Sequence, residues 1–523
     1  MFLFFDTENS GLSRNFSQLL EIAFIATDSD LNMMSSRQLS SKRLPWNIPS
    51  PGAMLVTGIM PENMKKQSDT HYEMMCKVNE YLQNLHWPII FAGYNVHGYD
   101  HGILSQNLHQ TLHDPFVMTG RKSWQAPANK IFDILDVVKA THIYAPSALT
   151  LDIKSASGRY PSMSLGNVAR QNGIDFSEND AHGALADTKA TIKVARMLKA
   201  AAPRIWDQML KMSDRQNVQA FLDQNEVFAY SQCPYGAGHN IIGTYLTDAN
   251  GSRTEAVIWD LNVDPADYLD KTEDELTEIF RLRGDKRFAT PLQTLMKHKQ
   301  PILMPLDMAG PVSPYGLGPK TIEGRLKTIK NNPEFAAKVA RAAQKAKPKF
   351  KPGQEPEEKI YNFPDKRIRK SIDEWKIAFH AADWGEKTKL IAAFKKTFAK
   401  DIKKDPALER FIQFAKRIVY ADAPETLSKE EKIKYDTALH ARRHSTDEEV
   451  PYMTLIKARQ ELATIEQERA KGAPQWKHVT DSQIRSIKLF YTALEKEFGN
   501  APDISNDNKP LDPPKHFSQK PKN

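Results

Sequence analysis

The sequence predicts a protein of several domains, with an α/β first part, a β-rich middle part and an all-helical last part. Its 523 residues provide for about three domains of roughly 100–200 residues each. Apolar strand-like segments alternate with helical patterns at the start, a hairpin pattern follows, and the remainder has apolar residues at helical spacing.

Three short apolar segments predict buried strands in the first part. They are Phe2–Phe5, Leu19–Thr27 and Pro88–Ala92, rich in aromatic and branched residues. Helical patterns lie between and after them. In the clearest, residues 182–199, apolar side chains recur three to four positions apart while Lys and Arg take the opposite face. The alternation predicts a mixed α/β domain.

The middle part has the pattern of a small β-rich domain. Asn240–Thr247 and Glu255–Leu261 flank Asp248–Gly251, a turn sequence of the hairpin kind. We expect a helix around residues 266–283. From Arg341 to Lys351 the chain has five cations, no acid and several prolines nearby, which is typical of a linker.

The last part is predicted to be a helical bundle or arch. One apolar stripe is formed by Leu408, Phe411, Ile412, Ala415, Ile418 and Val419. Similar stripes recur in residues 367–400, 452–470 and 480–498. From Gly499 onward the composition is polar and rich in Pro, Asn and Lys, so we expect a disordered tail.

Charge and cysteine content exclude several classes of protein. The chain has 72 Lys and Arg against 64 Asp and Glu, a net charge of +8, and the excess of positive charge lies in residues 341–523. This distribution indicates a module that binds a polyanion.

Two cysteines, Cys76 and Cys233, are too few for a disulfide framework or a thiolate-rich zinc site. No apolar run approaches ~18 residues, and Met1–Phe5 is too short for a signal peptide. We expect a cytoplasmic protein.

Asp6-Thr7-Glu8 follows the first predicted strand directly. Residues two apart on a strand point to the same side, so both carboxylates can face one site. Paired hard oxygen ligands suit Mg²⁺ or Mn²⁺. The alternative is coincidence, since the same spacing recurs at Asp447 and Glu449 in a charged region.

Two further segments add acids at the ends of regular elements. Asp100 follows the segment FAGYNVHGYD and opens a predicted helix, where it could instead be a helix N-cap. His182 and Asp187 lie in HGALAD at the start of the helix predicted over 182–199, where an Asp also suits the helix dipole. The order is therefore Asp-x-Glu, then Asp, then His-x4-Asp.

That set resembles the DEDD superfamily of 3′→5′ exonucleases, in the subclass with a His in the third motif. Asp6 and Glu8 match the first motif, Asp100 the second, and His182 and Asp187 the third. The resemblance extends to multidomain bacterial exodeoxyribonucleases in segments such as Pro51–Ile59, Phe132–Val137, Ala202–Asp207 and Lys297–Leu303. The first motif, Asp-Thr-Glu-Asn-Ser-Gly, is closer to the proofreading exonucleases.

The resemblance implies the fold class and the domain bounds. It implies an α/β ribonuclease H-like exonuclease domain over 1–212, an SH3-like β-rich domain over 217–345 and an all-α C-terminal domain over 355–498. Residues 499–523 would be a disordered tail.

The resemblance also implies an activity and a set of roles. The expected reaction is 3′→5′ degradation of single-stranded DNA to 5′-mononucleotides by two-metal-ion hydrolysis, processive and serving DNA repair. The four acids would hold two Mg²⁺ ions, with Mn²⁺ as a substitute, and His182 would be the general base. Candidate contacts to the terminal nucleotides are Thr7, Leu12, Tyr94, Asn95 and Tyr99.

The resemblance also implies binding partners, and two alternative functions stay open. Expected partners are single-stranded DNA and the acidic C-terminal tail of single-stranded DNA-binding protein, with a monomeric chain and no membrane. The alternatives are an RNA-trimming or proofreading exonuclease of the same superfamily, or a non-catalytic DNA-binding module. The intact set of five motif residues argues against the non-catalytic module, and the 300-residue extension argues against the single-domain exonucleases.

Overall fold

The computed structural model describes residues 1–123, 125–151, 160–176, 183–234, 238–249, 251–310, 317–348 and 353–497. Two of the predictions, the general base His182 and the tail over 499–523, lie outside these residues.

The first region is built on a mixed five-stranded sheet in the order β3-β2-β1-β4-β5. Strand β1 lies at its centre, antiparallel to β2 and parallel to β4. The elements are β1 (Phe2–Asn9), β2 (Leu19–Thr27), β3 (Met33–Ser40), α1 (Pro51–Thr57), α2 (Pro61–Lys66), α3 (His71–Asn84), β4 (Ile90–Gly93), α4 (Asp100–Gln110), β5 (Lys130–Asp133), α5 (Ile134–Tyr144), α6 (Leu165–Gln171), α7 (Ala184–Ala201), α8 (Pro203–Met212) and α9 (Arg215–Gln224).

Alternation along β1 explains why this strand is central. Phe2 and Phe4 pack into an apolar core that includes side chains of α5, α7 and α8. Leu3 and Phe5 pack into a second core, on the other face of the sheet, with side chains of α3 and α4. A strand covered on both faces reads as a continuous apolar run, as β1 does before Asp6.

The second region is built on a five-stranded antiparallel sheet in the order β10-β6-β7-β8-β9. The predicted hairpin is confirmed, because β7 pairs antiparallel with β8. The elements are β6 (Phe228–Gln232), β7 (His239–Asp248), β8 (Glu255–Asp260), α10 (Glu273–Arg281), α11 (Asp285–Phe288), β9 (Leu292–Met296), β10 (Ile302–Pro305), α12 (Pro319–Asn331) and α13 (Pro333–Lys345).

The third region is helical where the structure describes it, which confirms the predicted fold class. In this region the stripe predicted over 408–419 is buried on one helix. The helices are α14 (Lys366–Ala381), α15 (Trp384–Thr397), α16 (Ala399–Lys404), α17 (Glu409–Asp422), α18 (Lys429–His444), α19 (Leu455–Ala470) and α20 (Asp481–Lys496). In the part of the chain that the structure describes, no helix has both the length and the apolar character needed to cross a membrane.

Two local predictions are wrong in their bounds. Residues 341–345 are not linker, because α13 continues to Lys345 and its Arg341 and Lys345 pair with Glu273 and Asp274 of α10. The helix expected over 266–283 is instead a 3₁₀ turn followed by the separate helix α10. A capping box at Thr272 begins α10.

The helical region packs on the first region through two apolar clusters. Tyr72 and Leu112 lie in one core with side chains of α14, α15 and α17. Leu20, Met54 and Met64 lie in another with side chains of α19 and α20. Within the helical region the buried carboxylate of Glu357 accepts from Arg417 at 2.7 Å and from Arg442 at 3.0 Å. The backbone carbonyl of Glu357 accepts from Gln106 of α4, which joins this network to the first region.

We expect Glu357→Gln to lower the free energy of unfolding by about 3 kcal/mol, because it leaves two guanidinium groups short of their counter-charge. Burial alone would raise the pKa of Glu357, yet Arg417 and Arg442 lower it, so the group is ionised. Thermal melting at neutral pH measures the effect.

The matched control is Glu430→Gln, which removes an exposed pair with Lys434 and should leave the melting temperature nearly unchanged. Equal melting temperatures for the two variants would contradict a stabilising role for the buried network.

Candidate active site

Asp6 and Glu8 lie side by side on β1, as their spacing predicts. Both belong to the face of the strand that carries Phe2 and Phe4, the face covered by α7. The strand does not end at Asp6 but continues to Asn9. Glu8 is therefore held by pairing on the central strand, opposite Glu21 of β2.

Asp187 approaches the same face from the first turn of α7. One oxygen each from Asp6, Glu8 and Asp187 lie within 4.8 Å of one another. Three hard oxygen ligands at this spacing fit a divalent cation of the Mg²⁺ or Mn²⁺ type. The structure thus brings together three of the four acids that the sequence singles out.

Asp100 reaches the cluster from the other face of the sheet. It is the first residue of α4 and not its N-cap, which is Tyr99, so the N-cap alternative is wrong. Its side chain is buried, and Thr7 Oγ1 donates to Asp100 Oδ1 at 2.5 Å. Since β1 and β4 run parallel, the start of α4 lies at the same sheet edge as Asp6.

The four carboxylates destabilise one another's ionised forms. Burial, followed by repulsion from Asp100 and Glu8, raises the pKa of Asp6 well above its usual range. Burial and then Asp187 raise the pKa of Glu8 to about 9. Burial also raises the pKa of Asp100 to about 6, although Thr7 opposes the shift. Such a cluster is stabilised by a shared cation, so the donor set fits bound metal.

Glu21 is a fifth acid that sequence reasoning missed. It repels both Asp6 and Glu8, and its Oε1 accepts from the backbone N–H of Ala184 at 3.2 Å. The bond ties β2 to the start of α7, the helix that carries Asp187. An acid within the apolar segment LLEIAFIAT was the available signal, but its partner across the strand pair could not be read from the sequence.

The proposed nucleotide contacts have diverse surroundings. Leu12 is 88% exposed beside the site, whereas Thr7 is buried and its hydroxyl serves Asp100. The hydroxyl of Tyr99 donates to the backbone carbonyl of Gly11. The hydroxyl of Tyr94 donates to the backbone carbonyl of Met163. Asn95 is exposed and has a positive φ of 62°. Tyr99 therefore supports the turn that presents Leu12.

Two cavities lie where the first region meets the other regions. One, of about 220 Å³, has a lining that includes Leu12, Phe16, Trp46, Arg442, Tyr452 and Lys457, so it joins the catalytic turn to the helical region. The other, of about 740 Å³, begins at His101 next to Asp100. Its lining includes Phe116, Arg121, Lys130, Arg215, His298 and Tyr361. Sequence reasoning predicted a role for Leu12 but for none of the other residues named in these linings.

Residues 3–195 match the family model described as Exonuclease. Over a longer stretch, the chain is similar to exodeoxyribonuclease I. It is 26% identical to the Escherichia coli (strain K12) protein over 371 residues, 69% of this chain and 76% of that one. It is 23% identical to the Haemophilus influenzae protein over 333 residues, 61% of this chain and 67% of that one.

Solved structures extend the similarity of fold to nearly the whole chain. Exonuclease I from Methylocaldum szegediense has a TM-score of 0.74 at 21% identity, covering 95% of this chain and 99% of its own. E. coli exonuclease I in complex with a dA16 oligonucleotide has a TM-score of 0.74 at 22% identity, covering 94% and 99%. The resemblance that the motifs predicted is confirmed.

Without divalent metal, we expect the melting temperature to fall as pH rises from about 5 to 9. The pKa of Glu8 is about 9 in the folded chain against 4.5 for an ordinary Glu. The stability from this group is therefore fully present below pH ~4.5 and is lost as pH rises through 9. In EDTA, Glu8→Gln should reduce the loss of unfolding free energy between pH 5 and 9 by about 1–3 kcal/mol. Thermal melting across that pH range measures the difference.

Exposed Glu430→Gln is the control and should leave the slope unchanged, while added Mn²⁺ should restore stability at high pH. A slope that is the same for the wild-type chain and Glu8→Gln would contradict the proposed repulsion.

Proposed function

We propose that this chain degrades single-stranded DNA from its 3′ end to 5′-mononucleotides by two-metal-ion hydrolysis. The observation that carries the proposal is the cluster of Asp6, Glu8 and Asp187, whose oxygens lie within 4.8 Å on an exonuclease domain, with Asp100 beside it.

The roles of the chain's own residues follow from their positions. Asp6 would serve both ions, Glu8 and Asp187 one of them, and Asp100 the other. When bound, two divalent ions stabilise the charge on the phosphate and leaving oxygens and lower the pKa of the attacking water. His182 would accept the proton of that water; it directly precedes Gly183, the N-cap of α7. Mg²⁺ is the proposed ion, with Mn²⁺ as a substitute.

The smaller cavity supports contact with the terminal nucleotides. The guanidinium of Arg442 lies 4.0 Å from the ring centroid of Tyr452, and the rings of Phe16 and Tyr452 meet at 6.0 Å. An exonuclease must accept every base, so recognition rests on stacking and phosphate contacts, which aromatic and basic side chains supply. Leu12, exposed at the rim, would wedge against the last base.

The larger cavity supports a path for the strand further from its end. Its cations Arg121, Lys130 and Arg215 are accompanied by the aromatic rings of Phe116 and Tyr361, and Tyr361 is 69% exposed. These residues come from the first region and from the start of the third. A strand held between regions in this way would stay bound after each cut, so we propose processive degradation.

The remaining proposals concern organisation and partners. We propose domain bounds of 1–212, 217–345 and 355–498, a monomeric chain, a cytoplasmic location and a role in DNA repair. The acidic tail of single-stranded DNA-binding protein is the proposed protein partner. A cavity of about 590 Å³ supports it, because apolar Phe490 and Leu494 lie there with Lys42, Lys65 and Lys496.

The proposal is tested with single-stranded oligonucleotides labelled at the 3′ or the 5′ end, incubated with Mg²⁺ or EDTA at fixed salt. We expect the 3′ label to leave as a mononucleotide in Mg²⁺ only, and the 5′-labelled strand to shorten progressively. Asp187→Ala should lower the rate about 10³-fold or more while oligonucleotide affinity changes only a few-fold.

Asp481→Ala is the matched control, since Asp481 also lies in the first turn of a helix but is 84% exposed and far from the cluster in sequence. It should cleave at the wild-type rate. A chain that binds DNA and releases no mononucleotide would favour the non-catalytic alternative, and faster release from RNA would favour the RNA-trimming one.

A further inference from the structure

A second cluster of metal-ligating side chains lies away from the carboxylates. It comprises Cys76 on α3, His113 shortly after α4, and His380 in the last turn of α14. One ligand atom from each of the three lies within 4.8 Å of the other two. The cluster is located at the junction of the first region with the helical region, next to the core around Tyr72.

The imidazoles of His113 and His380 lie against each other in the interior. They stack with centroids 4.0 Å apart and planes at 6°. Nε2 of each ring is buried without a hydrogen-bond partner among the described residues, and His113 is 7% exposed. In contrast, Nδ1 of His380 lies 2.9 Å from the hydroxyl oxygen of Tyr72. A buried polar atom without a partner costs free energy, so two such atoms in a pair of stacked rings call for an explanation.

We propose that Cys76, His113 and His380 bind one transition-metal ion of the Zn²⁺ class. One thiolate and two neutral imidazoles form a donor set that suits zinc and not magnesium, with a fourth position open to water. The exclusion of a thiolate-rich site from the cysteine count still holds, because this site needs a single cysteine.

Binding requires a small rearrangement. Ligand atoms around a tetrahedral zinc lie about 3.5 Å apart, so any separation within the 4.8 Å bound that exceeds this value would shorten. The metal lies in the plane of each ligating imidazole, so the stacked rings must rotate out of parallel. Tyr72 would keep its contact with Nδ1 of His380 and orient that ring, as partners of metal-bound histidines do.

Without metal, Cys76 is held as a thiol. It is only half-buried, which leaves a route from solvent. Burial raises the pKa of Cys76 to about 11, although a hydrogen bond with Tyr72 and the ammonium of Lys387 lower it. Metal binding would therefore release the thiol proton. The bound ion would join α3 to α14 and so clamp the helical region to the first region.

The test is titration of the full-length chain, freed of metal by EDTA and dialysis, with Co²⁺ as the probe. Cobalt bound to a thiolate gives a sulfur-to-metal charge-transfer band, which carboxylate sites do not give. We expect about one equivalent to produce the band in the wild-type chain, and Cys76→Ser to abolish it. Cys233→Ser, the matched control at the other cysteine, should retain it.

A second variant and a second measurement keep the proposal testable if Cys76→Ser fails to fold. His380→Asn keeps the thiol and should weaken Co²⁺ binding at least tenfold, and one equivalent of Zn²⁺ should raise the melting temperature of the wild-type chain more than that of this variant. No band in the wild-type chain, or a band that persists in Cys76→Ser, would overturn the proposal.

Discussion

Repulsion among buried carboxylates at one edge of the first sheet is the constraint on which the rest of the structure depends. Asp6, Glu8, Asp100 and Asp187 are brought together by the central strand and two helix starts. Each raises the free energy of its neighbours' ionised forms, and Glu21 adds to this. The fold must therefore supply enough apolar burial to hold the cluster without metal, and the two cores on either face of β1 do so.

The other regions add what the carboxylates cannot supply. The acids repel a phosphate backbone, so a nucleic acid needs cations and rings placed beside them. Arg442 and Tyr452 come from the helical region, and Arg215 lies at the end of the first region towards the second sheet. The ion pairs of Glu357 hold Arg442 in place. Arg442 belongs to the last third of the chain, where the surplus of positive charge lies.

The sequence predicted much of the fold and the centre of the site, because both depend on local rules. The two-residue period of a strand placed Asp6 and Glu8 on one face, and the resemblance to the DEDD exonucleases joined Asp187 to them. Glu21 was missed because strand register, which sets it opposite Glu8, is not a local property. Residues 341–345 were misassigned for the same reason, since their partners on α10 lie about 70 residues away.

The most direct test of the account is the number of Mn²⁺ ions bound by the wild-type chain and by Asp6→Asn. It can be measured by electron paramagnetic resonance with a single-stranded oligonucleotide whose 3′ linkage resists cleavage. Mn²⁺ prefers oxygen ligands, so the Cys-His cluster does not interfere. The account predicts two ions per wild-type chain and the loss of at least one in Asp6→Asn. Unchanged binding in Asp6→Asn, or no bound ion in the wild-type chain, would contradict it.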